Sequence, residues 1–90
     1  MTLNEIRIKI DSIDHKVLLL LAERQSFQKD VARYKMANNM PRIQKEREEE
    51  IQKRWLKEAK KLSVDPELAK SVFKNILKNS HKIQKKIMKK

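Results

Sequence analysis

The sequence predicts an all-helical chain of three helices with a very long first helix, and three observations support this fold class. Glycine is absent and proline occurs only at Pro41 and Pro66, so few residues suit the tight turns of β-hairpins. Charged residues make up 39% of the chain, and the frequent Leu, Ile, Lys, Glu and Ala favour helices. Apolar residues recur at alternating spacings of three and four, which is the helical period.

The first predicted helix, about residues 2–38, begins at a capping box of Thr2 and Glu5 and ends at Asn38-Asn39-Met40-Pro41. Its apolar seam consists of Leu3, Ile6, Ile10, Ile13, Val17, Leu20, Phe27, Val31 and Tyr34. Such a helix is about 54 Å long, at 1.5 Å per residue. A compact globule of this chain length has a diameter of only about 30 Å. We therefore expect a second copy to cover the seam in an entwined, all-helical homodimer.

Two shorter helices are predicted to follow, over about residues 44–62 and 66–88. The second helix carries an inward stripe of Ile51, Trp55, Leu56, Ala59 and Leu62. The third starts at Asp65-Pro66-Glu67, where aspartate suits the N-cap, proline the first helical position and glutamate the helix dipole. Its inward stripe runs through positions 69, 73, 76, 80, 83 and 87. Residues 1–90 are expected to form one domain.

The composition and net charge of the chain indicate which kinds of molecule it binds. The net charge of +11 indicates an anionic partner. The longest apolar run, Val17–Ala22, is too short to cross a bilayer, so no membrane association is expected. A chain without cysteine has no disulfide or thiolate metal site, and we expect a cytoplasmic location. His15 and His81 lack partners at metal-ligand spacing, so we expect both to face solvent and no metal to bind.

Polar residues interrupt the inward face of the first helix. Arg24 occupies a seam position between Leu20 and Phe27, where burial is unfavourable unless an anion meets the guanidinium. Lys35 follows after about three turns and returns to within about 20° of the same face. Both cations therefore point towards a space suited to a small acid. Arg7 lies about 100° away on the helix, so it suits the pocket of a dimer partner better than its own.

The other two helices show the same anomaly. Ser80 lies on the inward stripe of the third helix, and Gln84 follows on the same face. Glu48, preceded by Arg47, heads the apolar stripe of the second helix. Each residue also has an ordinary explanation. An arginine on a seam is often ion-paired or extended to water, and a helical serine often bonds to the carbonyl four residues earlier. Arg47 and Glu48 alone suit an exposed charged face, and Gln84 a surface position.

Taken together, these residues resemble the helical-type chorismate mutases, and the resemblance covers essentially the whole chain. It is carried by Ile6–Asp14, Leu21–Arg24 and Val31–Lys35, then by Pro41 and Glu46–Glu48, and finally by Phe73–Ser80 with Gln84. The resemblance implies an isomerase without a cofactor that converts chorismate to prephenate in phenylalanine and tyrosine synthesis. It also implies an entwined homodimer with two equivalent sites.

The resemblance further implies a role for each polar residue. Arg24 would clamp one substrate carboxylate and Arg7 of the other chain the second, with help from Arg47 and Ser80. Glu48 and the backbone near Gln44 would bind the ring hydroxyl, and Lys35 and Gln84 would donate hydrogen bonds to the ether oxygen. Gln44 departs from the family pattern, because many members carry aspartate at this position. The rearrangement needs no nucleophile, which fits the lack of any Ser–His–Asp arrangement.

Two other functions stay open at this stage. An isochorismate–pyruvate lyase would use a similar cationic pocket on the same fold. A basic helical nucleic-acid-binding protein is suggested by the pI of about 10.1. Against nucleic acid, acidic residues are interleaved through Glu46–Glu50. Trp55 and Phe73 also lie on inward stripes, away from any basic face where bases stack. We therefore predict a small dicarboxylate as the partner and no nucleic acid.

Overall fold

The structure is a computed structural model that describes residues 1–89. Within these residues the chain forms three α-helices and no strand: α1 (Leu3–Ala37), α2 (Lys45–Lys61) and α3 (Pro66–Met88). The predicted all-helical class is confirmed, and each helix begins and ends within one residue of its predicted boundary.

The helix ends follow the capping signals in the sequence. At the start of α1, the Thr2 hydroxyl accepts a hydrogen bond from the Glu5 backbone N–H at 3.2 Å. At the start of α3, the Asp65 carboxylate accepts from the Leu68 N–H at 3.0 Å. Beyond the end of α1, Asn39 has a φ of 52°, a left-handed conformation that asparagine tolerates better than most residues. The chain therefore turns sharply between α1 and α2.

Helix α3 is the centre of the fold, because both other helices pack against it. It runs parallel to the second half of α1, so that Arg24 meets Ser80 and Gln28 meets Gln84 one turn further on. It runs antiparallel to α2, where the Trp55 indole Nε1 donates to the Ala69 carbonyl at 2.9 Å. Helices α1 and α2 consequently flank α3 on two sides and leave a cleft between them.

The buried core of one chain is small. Its apolar members are Ala32, Ala69, Phe73 and Met88, and the Trp55 and Phe73 rings pack with centroids 5.8 Å apart. The predicted inward stripe of α3 is confirmed, since each of its members is buried or half-buried. The inward prediction for Leu62 is wrong. Leu62 is the C-cap of α2, where the chain turns away from α3, and it is 75% exposed.

The apolar seam of α1 lies open to solvent in a single chain. All nine seam residues are exposed, including Val17 at 48% and Phe27 at 58%. The molecule measures 55 × 23 × 15 Å, with a radius of gyration of 16.3 Å, whereas a compact chain of this length has about 12 Å. An apolar surface of this extent is typical of an interface. The homodimer stays a prediction that this exposure supports.

The longest apolar run, Val17–Ala22, lies within α1 between Lys16 and Glu23. None of the helices within residues 1–89 is both long enough and apolar enough to cross a lipid bilayer.

Candidate active site

A cleft of about 420 Å³ lies between the three helices and the loop that joins α1 to α2. Seven of the eight residues predicted from the sequence line it: Arg24, Lys35, Gln44, Arg47, Glu48, Ser80 and Gln84. They come from all three helices and the loop, so the fold brings together side chains that are up to sixty residues apart. The exception is Arg7.

Arg7 is exposed on α1, and it does not line the cleft of its own chain. It precedes Arg24 by seventeen residues, or about 25 Å of helix. No arginine side chain spans that distance along a rigid helix. This position agrees with the expectation that Arg7 serves a partner's site, which stays a prediction.

Arg24 is a half-buried cation held by a serine. Its guanidinium donates to the Ser80 hydroxyl at 2.5 Å, and that hydroxyl donates to the Ile76 carbonyl at 3.0 Å. Burial removes water from the guanidinium and lowers its pKa from the ordinary value. Within residues 1–89, no carboxylate forms an ion pair with Arg24. A partly desolvated cation without a counterion provides a binding position for an anion.

Lys35 is buried, with 8% of its surface exposed. Its ammonium group donates to Gln84 Oε1 at 2.8 Å and to the Arg42 backbone carbonyl at 2.6 Å, which leaves its third N–H for a ligand. Loss of hydration lowers the pKa of Lys35; nearby Glu48 opposes that shift and nearby Arg42 adds to it. Lys35 is thus a fixed donor in a poorly hydrated position.

The orientation of the Gln84 amide follows from its neighbours. An ammonium group can only donate, so the Gln84 atom beside Lys35 must be the carbonyl oxygen. The amide nitrogen then faces Gln28 and donates to Gln28 Oε1 at 2.6 Å. One of its two N–H bonds is used in this way, and the other is available to a ligand. Lys35 and Gln84 therefore present neighbouring donors to the cleft.

Glu48 is held by a histidine on the facing helix. His81 Nε2 lies 2.9 Å from Glu48 Oε1, and His81 Nδ1 lies 3.2 Å from Nη1 of Arg42. The prediction that His81 faces solvent is therefore wrong, whereas His15 is exposed as expected. Because α3 packs against two helices, its inward face is wider than the single apolar stripe read from the sequence. His81 lies on the part of that face that meets α2.

Arg47 and Gln44 line the cleft near the start of α2. The Arg47 guanidinium forms an exposed ion pair with Glu50 at 2.9 Å, a type of pair that typically contributes at most about 1 kcal/mol and that a bound anion can replace. Gln44 is the N-cap residue of α2, yet its side chain makes no capping hydrogen bond. Both side chains are therefore available to a ligand.

Ten further residues line the cleft that were not predicted as site residues, although five of them were predicted to face inward: Gln28, Val31, Arg42, Ile51, Arg54, Trp55, Phe73, Ile76, Leu77 and His81. Gln28 follows Arg24 by one helical turn, so its position on the same face of α1 indicates that it lines the same cleft. With Arg42 and Arg54 included, five Lys and Arg side chains line the cleft against the single carboxylate of Glu48. Such a cleft attracts a small anion with more than one negative charge.

Among residues 1–89, the titratable side chains do not form a metal centre. Within residues 1–89, no three His, Cys, Asp or Glu side chains lie close enough together to hold a metal ion.

The fold and the cleft define a helical protein with a candidate binding site for small organic anions. The chain matches the family described as "Chorismate mutase type II" over residues 6–85. It is 40% identical over 86 residues to a chorismate mutase of Methanocaldococcus jannaschii, which covers 96% of this chain and 87% of that protein. The chain therefore belongs to the type II chorismate mutase family, and its enzyme class is that of an isomerase.

A second relative has a different domain organisation. The chain is 33% identical over 84 residues to a bifunctional chorismate mutase/prephenate dehydratase of Buchnera aphidicola. The match covers 93% of this chain but only 22% of that longer protein.

Proposed function

We propose that this cleft is the site at which the chain rearranges chorismate to prephenate, and that each site is completed by a second copy. One observation carries the proposal: five cationic side chains and one carboxylate converge on a cleft in which Arg24 is half-buried and Lys35 is buried. The chemistry consists of breaking one C–O bond and forming one C–C bond within a single molecule. It requires positioned charges and no nucleophile.

Arg24 and the partner's Arg7 hold the two substrate carboxylates in this proposal. Three observations on Arg24 support this role. Its side chain is half-buried, its guanidinium donates to Ser80, and it forms no ion pair with a carboxylate within residues 1–89. Arg47 assists at the same end of the cleft. Two fixed clamps select the compact, chair-like substrate conformer in which the reacting carbons meet.

Glu48 receives the ring hydroxyl of the substrate, together with the backbone near Gln44. One Glu48 oxygen is held by His81, which leaves the second oxygen to accept a hydrogen bond. Gln44 replaces the aspartate of many family members. Its amide oxygen retains a hydrogen-bond acceptor at this position but removes a negative charge.

Lys35 and Gln84 bind the ether oxygen. C–O cleavage runs ahead of C–C formation, so negative charge gathers on this oxygen in the transition state. Donors that are already fixed, and poorly hydrated, stabilise that charge more than they stabilise the ground state. The Lys35 and Gln84 hydrogen-bond pattern provides this fixed arrangement before substrate binds.

The activity is tested by incubating the protein with chorismate and, separately, with isochorismate. Chorismate consumption is followed by ultraviolet absorbance, and prephenate and pyruvate are assayed separately. We expect prephenate as the product and a large loss of kcat/KM in the Arg24→Ala variant. The matched control is Arg33→Ala, because Arg33 lies on the same helix but forms only an exposed ion pair with Asp30. Pyruvate formed from isochorismate, without prephenate from chorismate, would assign the chain to the lyase instead.

The Gln84→Glu variant is expected to shift activity towards low pH. An ionised carboxylate at position 84 only accepts hydrogen bonds, so the ether oxygen loses a donor and meets a negative charge. Protonation restores an O–H donor, and the activity should rise as the pH falls. Lys35, which now lies 2.8 Å from Gln84 Oε1, would favour the ionised form and move the recovery to still lower pH.

The measurement is kcat against pH for the parent, Gln84→Glu and the control Gln52→Glu, whose side chain is exposed on α2 outside the cleft. A profile of Gln84→Glu that coincides with the parent profile removes Gln84 from the ether-oxygen role.

We also propose that residues 1–90 act as one catalytic domain in the cytoplasm, and that its product is used in phenylalanine and tyrosine synthesis. The family membership supports the metabolic context. The location rests on the cysteine-free sequence and stays a prediction.

A further inference from the structure

A chain of hydrogen bonds runs behind Glu48, from the α1–α2 loop through α3 to α2. Arg42 Nη1 lies 3.2 Å from His81 Nδ1, and His81 Nε2 lies 2.9 Å from Glu48 Oε1. All three side chains are half-buried and line the cleft. We refer to Arg42, His81 and Glu48 as the relay.

The relay determines which ring nitrogen of His81 carries hydrogen. A guanidinium has only donors, so Nδ1 must accept the hydrogen bond from Arg42 through its lone pair. The neutral ring then carries its hydrogen on Nε2, which is the nitrogen that faces Glu48. A carboxylate can only accept, so the direction of both hydrogen bonds follows without observing any hydrogen atom.

We infer that His81 is a positioning residue, which sets the orientation of Glu48 for the ring hydroxyl while Arg42 sets the tautomer of His81. The inference rests on the role proposed above for Glu48. His81 holds one carboxylate oxygen and leaves the other for the substrate. A free glutamate side chain has several rotamers, and restricting it to one rotamer costs entropy. The hydrogen bond from His81 fixes the Glu48 rotamer before substrate binds, so substrate binding does not include this cost.

The loop residue Arg42 links this relay to the ether-oxygen donors. Its backbone carbonyl accepts from the Lys35 ammonium at 2.6 Å, while its guanidinium donates to His81. One residue between α1 and α2 thus supports both the hydroxyl end and the ether end of the cleft. The sequence alone does not indicate this role, because Arg42 and His81 are 39 residues apart.

A purely structural role for His81 makes different predictions. If the hydrogen bond to Glu48 served only to join α3 to α2, its loss would lower thermal stability, and any effect on activity would not depend on Glu48. A positioning role instead requires that the effect disappear when Glu48 can no longer accept the substrate hydroxyl as a carboxylate.

The kinetic test uses His81→Phe, Glu48→Gln and the double variant, with His15→Phe as the matched control. We expect His81→Phe to lower kcat/KM about tenfold, mainly through KM, because the hydroxyl contact is present in the ground state and the transition state alike. In the Glu48→Gln background the same substitution should change kcat/KM less than twofold. His81→Gln keeps a side-chain N–H donor for Glu48 and should restore most of the parent activity.

A spectroscopic test is independent of activity. The chain has two histidines, and the exposed His15 serves as an internal reference. Ring ¹⁵N resonances should show a single Nε2–H tautomer for His81 at neutral pH. Arg42→Met, which removes the donor to Nδ1, should convert His81 to a mixture of tautomers and leave His15 unchanged.

The outcomes separate the inference from the function on which it rests. If the His81 ring in the parent protein is a mixture of both tautomers, Arg42 does not set the tautomer of His81 and the relay is wrong. An unchanged KM in His81→Phe, while Glu48→Gln is impaired, overturns the positioning role and leaves the proposed function intact. A fully active Glu48→Gln variant overturns the hydroxyl role of Glu48 and the inference together. If His81→Phe does not fold, His81→Leu, which also lacks a side-chain donor, replaces it in the same set of variants, and the ring resonances still test the tautomer.

Discussion

Replacing Lys35 with alanine is expected to lower kcat by about 10²–10³, equivalent to about 2.7–4 kcal/mol, with a much smaller rise in KM. Lys35 is buried and held by Gln84 and the Arg42 carbonyl, so its remaining N–H is fixed before substrate binds. In the proposed mechanism, the charge that it meets develops only as the C–O bond breaks. Its loss therefore removes an interaction made mainly in the transition state, which lowers kcat.

The matched control is Lys29→Ala, because Lys29 is exposed on the same helix and does not line the cleft. Circular dichroism should show the same helix content for both variants. In the parent, desolvation lowers the pKa of Lys35, so the ammonium form is lost as the pH rises, and at a lower pH than for an ordinary lysine at 10.5. The alkaline limb of kcat/KM should accordingly lie below that value. Unchanged turnover in Lys35→Ala contradicts the mechanism.

Mixing two inactive variants, Arg7→Ala and Arg24→Ala, is expected to restore about a quarter of the parent activity, because the proposed site takes one arginine from each copy. In a dimer of one chain of each type, one site combines the intact Arg24 with the partner's Arg7. The other site lacks both arginines. Random pairing makes about half of the dimers mixed, and each mixed dimer has one working site out of two.

The two variants must be unfolded together and refolded, since chains entwined as we propose would exchange only through unfolding. The control is each variant refolded alone, and a second control is the Arg7→Ala, Arg24→Ala double variant refolded with the parent chain. That mixture places both defects in one chain, so every mixed dimer has two impaired sites. Only the quarter of the dimers that contain two parent chains should stay active, so the mixture should keep about a quarter of the parent activity, whereas sites confined to one chain would keep about half. Recovery no greater than the sum of the separately refolded variants contradicts the shared site. A parent protein that sediments as a stable monomer contradicts it as well.

The secondary structure and part of the site were predictable because they depend on neighbours along the chain. The capping residues and the helical period placed all helix ends within one residue. Arg24 and Lys35 were correctly placed in one cleft because both lie on a single rigid helix of known pitch. The same geometry correctly excluded Arg7 from the cleft of its own chain.

The contacts between helices could be predicted only in part from the sequence. The resemblance to a known family named Ser80, Gln84 and Glu48 as site residues, but helical period alone left each of them with an ordinary explanation. The structure added the contacts: Ser80 meets Arg24, Gln84 meets Lys35, and Glu48 meets His81. Crossing angles and packing depth depend on many side chains at once, so no spacing rule predicts them.

The fold class, the long first helix and the two cations on its inner face follow from the sequence, because backbone propensity and helical pitch act over a few residues. The surroundings of those cations depend on how the helices and the loop pack together. The loop conformation that brings the Arg42 carbonyl to Lys35, and the packing of α3 against two helices that buries His81 beside Glu48, both join residues distant in the chain. Such contacts depend on how whole helices pack, and that packing is a property of the folded chain as a unit.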